Sequence, residues 1–170
     1  SSDLYGVNDA TSLYSFPKLV NLTEHTQREL LSEDEINLGI EAFANDITND
    51  GTIVVGCYNG QPAYLNTTTN KWYTLPLVSG NIGGHVDAVT PDGKYAVGIC
   101  TMGGFDEVPV MWDLQTNKIV TLTNLPSCDL SGHYQDMTRL LEVSADARYI
   151  VGCVSYSYPS DVLYFLYDRT

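Results

Sequence analysis

Cys128 and His133 are the first pair to weigh for chemistry, because a thiol beside an imidazole can serve as a nucleophile and its base. They stand five residues apart in the segment 123–138, which also carries Asp129, Tyr134 and Asp136. No orienting third group accompanies them, and no family-specific cysteine signature surrounds them, so a solvated loop is the plainer reading. His85, Asp87, His133 and Asp136 offer imidazole and carboxylate ligands to a metal, but nothing in their order has zinc-type spacing. Asp106-Glu107, beside Gly103-Gly104, lacks the alternating ligand ladder of a calcium loop. The sequence therefore assigns no catalytic residue, no metal and no cofactor. For ligand binding the candidates are Tyr156, Tyr158, His85, His133, Asp106 and Asp136. The two tyrosines lie in the stretch 154–162 with Pro159 and without core periodicity, the pattern of a recognition loop. Trp72, Trp112, Tyr64 and Tyr73 could line a sugar-binding surface, but aromatics in strands more often fill a core.

The elements that must position these groups are written in a repeat. Thr48-Asn49-Asp50-Gly51 precedes a strand ending at Gly56, Thr90-Pro91-Asp92-Gly93 one ending at Gly98, and Ser144-Ala145-Asp146-Ala147 one ending at Gly152. In each copy the aspartate precedes the glycine by six positions. Further columns agree without gaps. Pro17, Pro62 and Pro109 are followed four residues later by Asn21, Asn66 and Asp113, and nine residues after those by Leu30, Leu75 and Leu122. Gly6 leads to Pro17 at the same eleven-residue interval that separates Gly98 from Pro109.

Each unit reads as four short strands. Strand A precedes the aspartate turn (41–48, 85–90, 139–144), and strand B is the β-branched and aromatic run after it (52–58, 94–100, 148–154). Strand C covers 18–22, 63–67, 110–114 and 163–168, and strand D covers 28–31, 71–75 and 118–122. Asp-Gly suits the tight A–B hairpin, since glycine tolerates positive φ and the aspartate bonds back to the turn. Residues 32–40 have a capping-box spacing, Ser32 to Glu35, and predict a single helical turn. The glycines Gly6, Gly56, Gly98 and Gly152 are 50, 42 and 54 residues apart. Four antiparallel strands at that period predict an all-β fold of β-propeller blades. About four units result, roughly 1–31, 41–75, 85–122 and 139–170, in one region spanning 1–170. The first lacks strand A and most of strand B, and the last lacks strand D. Further blades or a second chain are therefore expected, with self-association through open blade edges as one outcome.

Charge and composition narrow the partners. The 170 residues are 44% hydrophobic and carry 21 acidic against 8 basic side chains, a formal net charge of -13. Such a chain can bury a core and repels phosphate backbones and anionic headgroups, so nucleic acid is excluded as a partner. No apolar run is long enough for a membrane helix. Four cysteines are too few for a disulfide scaffold, and in strands they are expected as free, buried thiols. Asn21-Leu22-Thr23 and Asn66-Thr67-Thr68 match the glycosylation sequon.

The phrase Ser/Thr-x-Asp-Gly-x-x-x-Val-Gly, with a following strand ending at Met111-Trp112-Asp113, resembles bacterial β-propeller repeats of the HAF type. More loosely it is similar to TolB-like and WD-repeat blades. Ala147 departs from the turn glycine, and the Trp-Asp pair occurs once. The resemblance implies a secreted, periplasmic or cell-surface protein. It further implies a non-catalytic binding or scaffold module for a protein or glycan partner. A propeller carbohydrate-active enzyme with a shared site, and a structural spacer, are the alternatives.

Overall fold

A computed structural model describes residues 4–8, 17–102, 107–123, 125, 135–156 and 162–170, with side chains described for all of these except 4–8, 135–137 and 156. The strands form four antiparallel sheets, each a meander in chain order. The first holds β1 (Leu4–Asn8), β2 (Pro17–Asn21) and β3 (Thr26–Glu29). A short helix, α1 (Glu33–Asn37), leads to the second, β4 (Ala42–Ile47), β5 (Ile53–Tyr58), β6 (Gln61–Asn66) and β7 (Lys71–Thr74). The third holds β8 (Gly83–Val89), β9 (Tyr95–Thr101), β10 (Glu107–Asp113) and β11 (Lys118–Thr121). The fourth holds β12 (Gln135–Val143), β13 (Tyr149–Tyr156) and β14 (Val162–Asp168). The two middle sheets are thus complete A-B-C-D blades, while the first shows B-C-D and the last A-B-C among the described residues.

The repeated columns have physical roles. In the A–B turn the Thr48 hydroxyl donates to Asp50 Oδ1 at 2.7 Å and accepts the Ile53 N–H at 3.1 Å, closing the hairpin from within. Thr90 does the same with Asp92 and Tyr95, and Ser144 with Asp146 and Tyr149. The turn closes in the left-handed region, at Gly51 (φ 71°), Gly93 (φ 70°) and Ala147 (φ 55°). In the C–D turn, Asn21, Asn66 and Asp113 each accept two backbone N–H bonds from the residues just ahead. The leucine column ends strand D, where the N–H groups of Leu30, Leu75 and Leu122 donate to the carbonyls of Pro17, Pro62 and Pro109.

The strand B glycine answers a bulge in strand A. The registers of β4, β8 and β12 skip at Asn45, Asp87 and Leu141, each five residues before its turn aspartate. That extra residue drives a strand A carbonyl toward strand B. A Cβ at Gly56, Gly98 or Gly152 would strike the carbonyl of Phe43, His85 or Arg139 respectively. In the first sheet the register corrects the repeat reading, because Val7 faces Lys18 there, as Gly98 faces Val110. Val7 therefore occupies the glycine column, and the matching Gly6–Pro17 interval is coincidental.

The core lies between sheets rather than within them. One cluster joins Leu19 and Leu30 of the first sheet to Val54, Ala63 and Leu65 of the second. Another joins Val55 and Leu75 to Val86, Val110 and Trp112, and a third joins Val97 and Met111 to Leu140, Ile150 and Phe165. The blades stack face to face, as apolar sheet faces must. α1 has the expected capping box, with the Glu35 N–H donating to Ser32 Oγ at 3.3 Å and the Ser32 N–H to Glu35 Oε2 at 2.7 Å.

Candidate functional site

β4, β8 and β12 run side by side along one edge of the stack, with β8 packed against both others. The bulges re-aim side chains across this seam. Asn45 Nδ2 donates to the Val86 carbonyl at 2.7 Å, and one blade further on Asp87 Oδ2 accepts the N–H of the equivalent residue, Leu140, at 3.1 Å, with the direction reversed. Asp46 Oδ2 accepts the Val89 N–H at 2.8 Å, and Oδ1 accepts that of Ile47. Burial raises the Asp46 carboxyl above its ordinary value, against the pull of those two amides. Glu107 Oε2 accepts the Thr138 N–H at 2.6 Å and so ties β10 to the inner strand of the next sheet.

Seven residues before each turn aspartate stand Phe43, His85 and Arg139. Phe43 is 49% exposed, and the side chains of His85 and Arg139 are 26% and 44% exposed. Asp87, only 6% exposed, lies between the latter two, with its Oδ1 3.2 Å from His85 Nε2 and 3.3 Å from Arg139 Nη1. The approach of His85 is close enough for an ion pair once the ring is protonated, but it lies off the line of a hydrogen bond. This row of an aromatic, an imidazole and a guanidinium can stack on, hydrogen-bond to or pair with a ligand group. Asp87 holds the Arg139 guanidinium by a hydrogen bond and spends its other oxygen on backbone.

Of the residues singled out from sequence, His85 belongs to this row. Tyr158, His133 and Asp106 lie outside the described residues, as does Cys128, so the thiol–imidazole pair lies there too. The sequence pattern puts Tyr156 and Asp136 in loops, whereas both fall in strands. Tyr156 ends β13, paired with Gln135, and Asp136 lies in β12, which begins earlier than its sequence pattern suggested. Of the four residues weighed as metal ligands, His85 and Asp87 are neighbours on one strand, and the side chains of the other two are not described. No cluster of three or more histidine, cysteine or carboxylate groups suited to a metal occurs among the described residues. Cys57 and Cys100 are buried free thiols, with burial raising both above the ordinary thiol value. Phe43 and Arg139 went unnoticed in the sequence, although a constant offset from the turn aspartate marks them.

The two strand tryptophans are inter-blade braces. Trp112, fully buried, donates its Nε1–H to the Pro76 carbonyl at 2.8 Å, and Trp72 donates to that of Leu30 at 2.9 Å. Tyr64 stacks on Tyr73 with centroids 5.1 Å apart. The two tryptophans leave little face for a sugar, while Tyr73 is 37% exposed.

No protein-family model matches the sequence, and no curated protein matches it. Solved structures do. The chain is similar to TolB from Acinetobacter baumannii, with a TM-score of 0.63 and 15% identity over 98% of this chain and 38% of that one. It is similar to an oligogalacturonate lyase from Vibrio parahaemolyticus, with a TM-score of 0.57 and 12% identity over 94% and 48% of the two chains. The tricorn protease gives a TM-score of 0.56 and 12% identity, covering 96% of this chain and 16% of that one. The chain thus spans well under two thirds of each of these proteins. At such identities the likeness concerns the fold alone, and the proteins sharing it have unrelated activities. Sheet order, register and these relatives agree that the chain is built of β-propeller blades.

Proposed function

We propose that the chain is a binding or scaffold module of a secreted, periplasmic or cell-surface bacterial protein, and that it recognises a protein or glycan partner through the inner-strand row. The observation that carries this reading is the exposure of Phe43, His85 and Arg139 at one equivalent position on three successive inner strands. Asn45, Asp46 and Asp87 beside them are committed to joining blades, while these three side chains keep exposed surface. An aromatic face suits the apolar side of a sugar ring or a peptide side chain, and the guanidinium suits a carboxylate or hydroxyl pair. The periplasmic or surface setting rests on the TolB likeness and the resemblance of the repeat. No described helix is long and apolar enough to cross a membrane.

The test is binding of the chain to glycan and peptide arrays, followed by titration of any hit with Phe43→Ala and Arg139→Ala. Each change is expected to weaken binding by about ten-fold, the scale of one lost contact residue. Hits that neither substitution alters would remove this row from the account. Turnover of oligogalacturonate, the substrate class named for one relative, would replace the binding reading with an enzymatic one.

A further inference from the structure

The inner-strand row offers donors outward, while the carboxylates beside it are already spent. Asp46 gives its two oxygens to the amides of Ile47 and Val89, and Asp87 gives its two to Arg139 and the Leu140 amide. Arg139 donates one N–H to Asp87, and among the described residues it has no other hydrogen-bond partner. The rest of its half-exposed guanidinium fork is left for a ligand. His85 turns Nε2 inward, where that atom is buried against Asp87 Oδ1. Phe43, half-exposed, is the apolar end of the row.

A ligand that fits must bring acceptors to Arg139 and an apolar group to Phe43. A sugar hydroxyl donates as well as accepts, and its proton would find Asp46 and Asp87 already occupied. A carboxylate only accepts, and its two oxygens match the guanidinium fork. Charge limits how many such groups the ligand carries. A chain of formal net charge -13 repels an acidic run or a phosphate cluster, so a single carboxylate is the pattern that fits. The row also sets how far that carboxylate stands from the apolar group. Phe43 and Arg139 lie on inner strands of the second and fourth sheets, and face-packed sheets sit about 10 Å apart. An extended peptide advances about 3.4 Å per residue, so about six residues or fewer bridge the two.

We propose that the row takes a short peptide segment of a protein partner, with one carboxylate on Arg139 and one apolar side chain on Phe43. His85, between them in strand order, is the floor over which the segment passes. This assignment rests on the binding role proposed for the row and narrows its partner from protein or glycan to protein.

The experiment titrates the 170-residue chain into labelled peptides of about five residues and reads fluorescence anisotropy. Each peptide carries leucine and glutamate at opposite ends, in both orders, with its termini blocked. Each is paired with a copy holding glutamine in place of glutamate. In the better order the glutamate form is expected to bind about ten-fold more tightly than its glutamine copy. Arg139→Gln should bring the two forms to equal affinity, and Arg139→Lys should keep part of the difference. Phe43→Ala should weaken both forms alike. Equal affinity of the two forms for the unsubstituted chain would overturn the proposal, and a Phe43→Ala loss in that case would still leave the row a binding surface. Failure of either form to bind at about 1 mM would overturn it too, and a glycan hit sensitive to Arg139→Ala would then give the row to a sugar. A glutamate preference that Arg139→Gln leaves intact would place the carboxylate elsewhere and sink the assignment.

Discussion

Asp92 shows what a single repeated side chain does. Its Oδ1 accepts both the Thr90 hydroxyl at 2.7 Å and the Lys94 N–H at 3.0 Å, and these bonds hold the carboxyl below its ordinary value. The Thr48 hydroxyl does the same for Asp50 and the Ser144 hydroxyl for Asp146, while the Arg148 guanidinium lowers Asp168 furthest. A carboxyl that titrates lower in the fold than in the unfolded chain stabilises fully above the ordinary aspartate value. That stabilisation is lost as pH falls through the lowered value. Asp46 acts in the opposite sense. Held above its ordinary value by burial, it withdraws some stability as pH rises past the aspartate range. With Glu35 and Asp113 also lowered, six lowered carboxyls against one raised among the described residues predict that the urea midpoint falls between about pH 5 and about pH 2.5. Asp92→Asn keeps the acceptor oxygen and should lose less over that interval. An acid limb identical to that of the parent would separate acid sensitivity from this turn.

The bulge and the glycine opposite it act as one element. Bulges in β4, β8 and β12 aim Asn45 and Asp87 across the seam, and the strand B glycine makes room for the carbonyl that each bulge displaces. Gly98→Ala would force a methyl onto the His85 carbonyl and within 2.8 Å of the Val86 Cα, both main chain. A loss of about 3 kcal/mol in urea unfolding is expected, the upper range for overpacking. Ala147→Gly differs, because two effects oppose. Leaving the left-handed conformation to glycine gains about 1–2 kcal/mol, while the lost buried methyl and the added unfolded-state freedom cost about as much. The variant should lie within about 1 kcal/mol of the parent by the same measurement. A large gain would mean that strain at Ala147 outweighs its packing. None of the three bulges was legible in the sequence, since a strand pattern interrupted by one residue reads as an ordinary strand. The aspartate turns were legible because hydroxyl, carboxylate and glycine must stand at fixed offsets along a short local path.

At the scale of the whole molecule, three cores between sheets hold together a chain with a formal net charge of -13. Such a surface repels itself, and the repulsion is screened by salt. Raising sodium chloride from about 10 mM to about 150 mM should lift the melting temperature by roughly 2 °C or more, with the acidic surface as the cause. A melting temperature that falls with salt would mean that local pairs such as Arg148–Asp168, bidentate at 2.8 and 3.0 Å, outweigh the general repulsion.

The amino-acid sequence by itself determined the strands, the turns, the four-strand period and hence the blade, because those depend on contacts between residues close along the chain. It marked His85 as a candidate through residue type alone. Only the tertiary structure decided that His85 shares a row with Phe43 and Arg139 and that Asp87 bonds to Arg139 across the blades. It also decided that Trp72 and Trp112 brace blades rather than meet solvent. Those outcomes depend on which sheet faces meet, and a face-to-face contact between blades joins residues some forty to fifty positions apart. No local spacing encodes that contact, and it forms only when the stack closes.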